Sequence, residues 1–191
     1  MNLKPQLQDI SLLVLCGGEG RRMNGQDKPL LEWQSKPMVD WVLSSVPTGM
    51  PKLISDNRNL EDYGTRAQVV TDKPGYGVGP LVGILAGLQH ATTTWVLTAP
   101  GDVPALPKNW WQHMMNGVVT QSSVVARDVE RQQHLHLLLH RYTCSNSLNA
   151  YLQQGHHQVY KWVDQLKPNI AQFDTAFHNI NTPEDLITPT S

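Results

Sequence analysis

Residues 12–31, LLVLCGGEGRRMNGQDKPLL, decide how the rest of the chain is read. The apolar run 12–15 suits a buried strand. It gives way to a segment holding Gly17, Gly18, Gly20 and Gly25, with Arg21, Arg22 and Lys28 carried on it. Glycines let a backbone approach a ligand closely, so that successive amide N–H groups can face one anion. The cations add charge-assisted hydrogen bonds of the kind phosphate oxygens accept. The pattern predicts a phosphate-binding loop at the carboxyl end of the first strand of an α/β sheet.

Two familiar glycine loops do not fit. A P-loop requires a Gly-Lys pair, and none occurs in the chain. The dinucleotide fingerprint G-x-G-x-x-G is met at Gly18 and Gly20, but its third position is Met23. Over its whole length the stretch matches, in loose form, the nucleotidyltransferase pattern L-x-G-G-x-x-x-R-M-x-x-x-D-K-x-L.

The chain has 191 residues and a formal net charge of −1, and its pI is near 6.7. That length suits one domain, residues 1–191, with a substantial core. The charge balance gives no footprint for nucleic acid or a membrane surface. Cys16 and Cys144 are far apart, forming neither a disulfide framework nor a zinc spacing, which favours a reducing compartment. With no apolar run approaching 18 residues, the expectation is a cytoplasmic protein.

Apolar runs alternate with amphipathic stretches, the pattern of a mostly parallel sheet with helices on both faces. Strands are expected at 52–55, 68–71, 95–99, 122–127 and 134–140, the last two joined by a polar turn. Pro37 should open a helix burying Met38, Trp41, Val42 and Val46. Pro80 should open another with Leu81, Ile84, Leu85 and Leu88 on one face. Gly79, Gly83 and Gly87 recur every fourth residue of that helix, fitting either close packing on the sheet or a nucleotide against that face. Further helices are expected at 145–154 and 156–166. In the tail, HNINTPEDL, Thr182 is a natural N-cap ahead of Pro183.

Asp102 follows the strand WVLTA almost at once, and ligands of open α/β sheets bind outside the carboxyl ends of strands. A carboxylate there, beside a phosphate loop, suits Mg²⁺, which takes one or two carboxylates plus substrate phosphates. Asp72 occupies the equivalent place after the third strand, where an Asx-turn is the alternative. Lys28 suits a triphosphate anchor, and Asp27 an acceptor of loop N–H groups. His134, His136 and His140 share a strand face, but no cysteine is near and the nearest carboxylates, Asp128 and Glu130, lie across the turn, which favours a half-buried or substrate-contacting face over a metal site.

Three segments give the chain a family resemblance: LCGGEGRRMNGQDKPLLEWQSKPM, then DKPGYGVGPLVGILAGL with TAPGDVPALP, then NINTPEDL. Together they resemble the molybdenum cofactor guanylyltransferases. The resemblance implies a Rossmann-like domain of the nucleotide-diphospho-sugar transferase type that joins GMP from GTP to molybdopterin. It implies Mg²⁺ on Asp102, and Leu15, Cys16, Gly17 and Gly18 lining the nucleotide pocket. Lys28 and Arg22 would meet phosphate, Asp72 the guanosine, and Asn179 and Asn181 the pterin or catalytic side. It also implies molybdenum-insertion proteins and molybdoenzyme-specific chaperones as partners. Cys16 stands where the family usually has Ala, and Ser55-Asp56-Asn57 where it offers Asn to the nucleotide. His134-Leu135-His136-Leu137-Leu138 replaces a P-L-F-A-L-like strand. Alternatives are a molybdopterin cytidylyltransferase, a sugar-phosphate nucleotidyltransferase, or a non-catalytic guanine-nucleotide and pterin-binding partner.

Overall fold

The apolar run that opens the chain becomes strand β1, Ile10–Leu15, whose first five side chains are buried. The computed structural model describes residues 4–17, 27–72, 75–77, 79–119, 122–180 and 185. Strand β1 lies mid-sheet, so its residues need apolar neighbours on both faces, and a near-continuous apolar run meets that need. A two-residue hairpin follows, β2 (Glu32–Trp33) against β3 (Lys36–Pro37), turned by Gln34 and Ser35 at positive φ. This hairpin holds Pro37 just outside helix α1, Met38–Ser44, at its N-cap position. Met38 and Val42 are buried as expected, whereas Trp41 is half-buried and donates its indole N–H to the Trp33 carbonyl at 2.8 Å.

Strand β4 (Lys52–Ser55), helix α2 (Leu60–Gly64), strand β5 (Gln68–Val70), helix α3 (Pro80–His90) and strand β6 (Trp95–Pro100) complete the parallel part. Helix α4 (Trp110–Asn116), strands β7 (Val124–Arg127) and β8 (Gln132–His140), helices α5 (Arg141–Gln153) and α6 (Val159–Gln165) and strand β9 (Asn169–Gln172) follow. The seven-stranded sheet has the order β5-β4-β1-β6-β8-β7-β9. Only β8 opposes its neighbours: it pairs antiparallel with β6 and β7, while β7 and β9 are parallel. The mostly parallel α/β expectation therefore holds. Helices α1 and α4 bury Val42 and Trp110 on one face, and α3, α5 and α6 bury Leu85, Leu148 and Trp162 on the other.

The small face of α3 is explained by packing. A methyl group added at Gly87 would lie 2.2 Å from a Leu13 side-chain carbon, and one at Gly83 would lie 2.4 Å from the Ser55 hydroxyl. Helix α3 thus sits on β1 and β4 at a distance only glycine permits, and its glycine face belongs to the sheet rather than to a ligand. The β6–β8 ladder, in contrast, is interrupted from within. It runs from Trp95–His140 to Leu97–Leu138 and then stops. The Thr98 hydroxyl donates to the Leu135 carbonyl at 2.7 Å and accepts from the Leu137 N–H at 3.1 Å. A side chain takes the place of a backbone rung, so β6 and β8 part beyond it.

Candidate active site

Strand register brings the chemistry to one edge. Leu15 lies opposite Ser55 on one side and Pro100 on the other, and Ser55 lies opposite Val70. Four parallel strands therefore end level, and Gly17, Asp56, Asp72 and Asp102 all emerge on the same side of the sheet. Neighbouring strands are about 4.8 Å apart, so the strands carrying Asp72 and Asp102 are separated by roughly 14 Å. Cys16 and Gly17 both donate their N–H to the Ser55 carbonyl, at 3.0 and 3.1 Å, which fixes the exit from β1.

Lys28 opens a short 3₁₀ turn, Lys28–Leu30, anchored by buried Pro29. Its ammonium donates to Asp102 Oδ2 at 2.6 Å and to Asn179 Oδ1 at 3.1 Å. The Lys28 and Asp102 side chains keep 17% and 21% of their exposure, so the pair is partly desolvated yet open to a ligand. Three segments distant in sequence thus converge: the loop after β1, the turn after β6 and the C-terminal strap. The strap is held firmly. Ile180 N–H donates to the Asp102 carbonyl at 3.1 Å, Ala105 bridges His178, and Phe177 N–H donates to Asp128 Oδ2 at 2.8 Å.

Asp128, read from the sequence only as a carboxylate across the turn from the histidines, anchors this strap. It is 2% exposed and also accepts from Glu130 N–H, Arg131 N–H and the Gln133 side-chain amide, at 2.9, 2.8 and 2.7 Å. Burial pushes its pKa up, but these donors favour the carboxylate more strongly and hold it below the ordinary value. The sequence signal was an aspartate at the head of a polar turn between two strands, the usual mark of an Asx-turn.

Asp72 is clasped by Asn57, whose side-chain amide donates to Asp72 Oδ2 at 2.8 Å while its carbonyl accepts Asp72 N–H at 2.8 Å. Burial raises the Asp72 carboxyl above its ordinary pKa. Of the three residues after β4, Ser55 is buried under α3, and Asp56 spends one oxygen on Arg58 and Asn59 N–H at 2.7 and 2.9 Å. Asn57 is the exposed member of the trio. Asp27 accepts from the Asn59 side chain and lies 3.8 Å from the Arg58 guanidinium, and burial pushes its carboxyl up. Cys16 is a buried free thiol; burial holds its pKa well above the ordinary range, so it is no nucleophile at neutral pH.

Leu15, Cys16, Gly17, Lys28, Asp72, Asp102 and Asn179 therefore all lie at this edge, with Lys28, Asp102 and Asn179 in direct contact. Gly18, Arg22 and Asn181 lie outside the described residues, as do Thr182 and Pro183. Among the described residues no three His, Cys, Asp or Glu side chains gather as a metal site. His140 packs edge-on to Trp95 at 5.2 Å. His136 is packed edge-on to the rings of Trp110 and Phe177, and neither of its nitrogens has a hydrogen-bond partner. Burial lowers its pKa to about 3, which leaves the ring neutral.

A glycine-bearing strand exit and a lysine–carboxylate pair at the carboxyl edge of a parallel sheet form the equipment of a nucleotide-handling α/β enzyme. Residues 12–169 match the MobA-like NTP transferase domain, and the chain belongs to that family of nucleotidyltransferases. The molybdenum cofactor guanylyltransferase of Vibrio cholerae is 36% identical over 190 residues, covering 95% of this chain and 93% of the relative. Molybdopterin-guanine dinucleotide biosynthesis protein A from Archaeoglobus fulgidus shares the fold, with a TM-score of 0.69 at 21% identity over 93% of this chain and 95% of that one. So does 4-diphosphocytidyl-2C-methyl-D-erythritol synthase from Anaerococcus prevotii, with a TM-score of 0.74 at 13% identity over 98% and 96% of the two chains. No helix among the described residues is long and apolar enough to cross a membrane.

Proposed function

We infer that the protein transfers GMP from GTP to molybdopterin and releases pyrophosphate. The observation that carries this reading is the convergence of Lys28, Asp102 and Asn179 beside the carboxyl end of β1, in a chain whose full-length relatives are guanylyltransferases. The terminal phosphate of molybdopterin attacks the α-phosphorus of GTP, a bond forms to that phosphorus, and the bond to the pyrophosphate oxygen breaks. A phosphate nucleophile needs no general base, which accords with a site built of a lysine, a carboxylate and an amide.

Lys28 supplies positive charge to the triphosphate, and the resemblance adds Gly18 and Arg22 as further phosphate contacts. Leu15 and Cys16 form the wall beneath it. Asp72, with Asn57, would meet the guanosine end, and the resemblance assigns Asn179 and Asn181 to the acceptor side. The donor set fits Mg²⁺, since Asp102 provides one carboxylate and an amide oxygen lies beside it, leaving the remaining positions to phosphates and water. When bound, that ion would neutralise charge growing on the phosphoryl oxygens. With two buried free thiols the protein suits the reducing cytoplasm, where molybdenum-insertion proteins and molybdoenzyme chaperones would be its partners.

The test is pyrophosphate release with GTP, CTP or ATP, each with and without molybdopterin and Mg²⁺. Release that requires both GTP and molybdopterin is expected. Preference for CTP, or a sugar phosphate replacing molybdopterin, would overturn the reading.

A further inference from the structure

Asp27 stands at the N-cap of the short turn that carries Lys28, and Asn59 stands at the N-cap of α2. Aspartate and asparagine at such positions ordinarily accept a hydrogen bond from the first N–H groups of their own helix. Neither does so here. The two side chains turn to each other across 32 positions of sequence, Asn59 donating its amide N–H to Asp27 Oδ2. The Arg58 guanidinium lies 3.8 Å from the other Asp27 oxygen. The Asp27 side chain is only 6% exposed, so the contact is made largely away from water, where a hydrogen bond is stronger.

The grip is firm at both ends. On the α2 side, Asp56 is 1% exposed and its Oδ2 accepts the Arg58 and Asn59 N–H groups at 2.7 and 2.9 Å. Its own N–H donates to the Val70 carbonyl at 3.2 Å, and Asn57, within the same turn, clasps Asp72. On the other side, Leu30 N–H donates to the Asp27 carbonyl and Leu31 N–H to the Lys28 carbonyl, both at 3.0 Å. Pro29 packs on Gly101, where a methyl group would lie 3.0 Å from the proline Cβ. The Lys28 backbone is therefore fixed between a proline seated beside Asp102 and an aspartate held by the turn 56–59. Lysine carries its charge on a flexible aliphatic stem, so the fold controls chiefly the point from which it reaches.

We propose that Asp27 and Asn59 are positioning residues that act through Lys28: their bond sets the spacing between the phosphate-binding lysine and the Asn57–Asp72 pair, so that one rigid turn registers the two ends of the nucleotide. The proposal rests on the guanylyltransferase reading for what that nucleotide is. Misplacing a substrate-positioning group by about 1 Å can cost about a hundredfold in rate, which is the scale such a joint controls.

The test is a double-mutant cycle read in GTP affinity, by calorimetry with Mg²⁺, and in single-turnover transfer to molybdopterin. Asn59→Ala should lower both by about five- to tenfold in the wild-type background, and by less than about twofold once Lys28→Ala is present. Asn59→Asp sets two carboxylates face to face and should lose about tenfold or more. Adding Asp27→Asn restores the bond with donor and acceptor exchanged, and should recover most of that loss. Equal losses with and without Lys28, no loss in Asn59→Ala, or no recovery in the exchanged protein would overturn the proposal. A wild type that binds GTP yet transfers nothing to molybdopterin would instead overturn the guanylyltransferase reading, and the affinity cycle would still decide the positioning.

Discussion

The two halves of the sheet meet the same edge in different ways. In the half formed by β5, β4, β1 and β6, parallel strands end level and deliver short connections to one edge, so the reactive groups sit on loops: Asp72, Gly17, Lys28 and Asp102. In the half formed by β8, β7 and β9, the antiparallel β8 begins at that edge, so strand residues rather than a connection stand there. A loop can close over a nucleotide, whereas a strand face is fixed by its ladder and offers a pre-shaped wall. Lys28, Asp102 and Asn179 lie at the seam between the two halves.

The largest expected effect lies at that seam. Asp102→Asn should cut single-turnover transfer by about a hundredfold or more, while GTP affinity changes by less than about tenfold. Rapid-quench rates and calorimetry on the same protein check this, and near-normal rates would remove Asp102 from the site.

A smaller effect is expected from Lys28→Ala, which deletes one charge-assisted phosphate contact of about 1.5–3 kcal/mol. GTP binding and transfer should fall together by about ten- to a hundredfold, with pterin affinity less affected. Dissociation constants for both substrates, measured on this variant, decide whether the lysine serves the nucleotide half or both halves equally.

Asp128→Asn probes the other half and should cost about 1–2 kcal/mol of stability at neutral pH. The sign with pH follows from the lowered folded-state pKa of Asp128. Its contribution is fully present above the unfolded carboxyl value of about 3.9 and is lost as pH falls through the folded value. Urea unfolding of wild type and variant should therefore show a gap at pH 7 that narrows in acid. A gap independent of pH would mean that the carboxylate charge contributes nothing.

The smallest effect should come from Gly87→Ala in the parallel half. The new methyl group must displace buried Leu13, and the improved helix propensity offsets part of that, leaving a net loss of about 1 kcal/mol. Denaturation should register it, and the KM for either substrate should not. A changed GTP KM would return a ligand to the glycine face of α3.

The same contrast governs how much could be read from the sequence. The parallel half was legible because each strand is a short apolar run and each functional residue follows its strand within two positions, as with Asp72 and Asp102. That logic put Asp102 in the same crevice as the glycine loop, and the structure adds its direct contact with Lys28. The place of Asn179 at the catalytic side came from resemblance alone, and its contact with Lys28, 151 positions away, was not legible in the sequence. The mixed half was harder. Strand β9, Asn-Ile-Ala-Gln, is too short and too polar at its ends to stand out, although it pairs with β7 along its whole length. The insertion of β8 between β6 and β7 depends on long-range pairing that no local pattern encodes. The role of Asp128 was not legible because it lies in the partners folding brings to it, and the burial of His136 because periodicity assigns a strand face but not what packs on it.

The division of labour between the halves can be tested directly by mapping backbone amide shifts in ¹⁵N spectra as GTP with Mg²⁺, and then molybdopterin, is added. The account predicts that GTP moves Cys16, Gly17, Asn57 and Asp72, that molybdopterin leaves Asn57 and Asp72 in place, and that both move Lys28, Asp102 and Asn179. GTP shifts centred on β8, or molybdopterin shifts centred on Asn57 and Asp72, would contradict it.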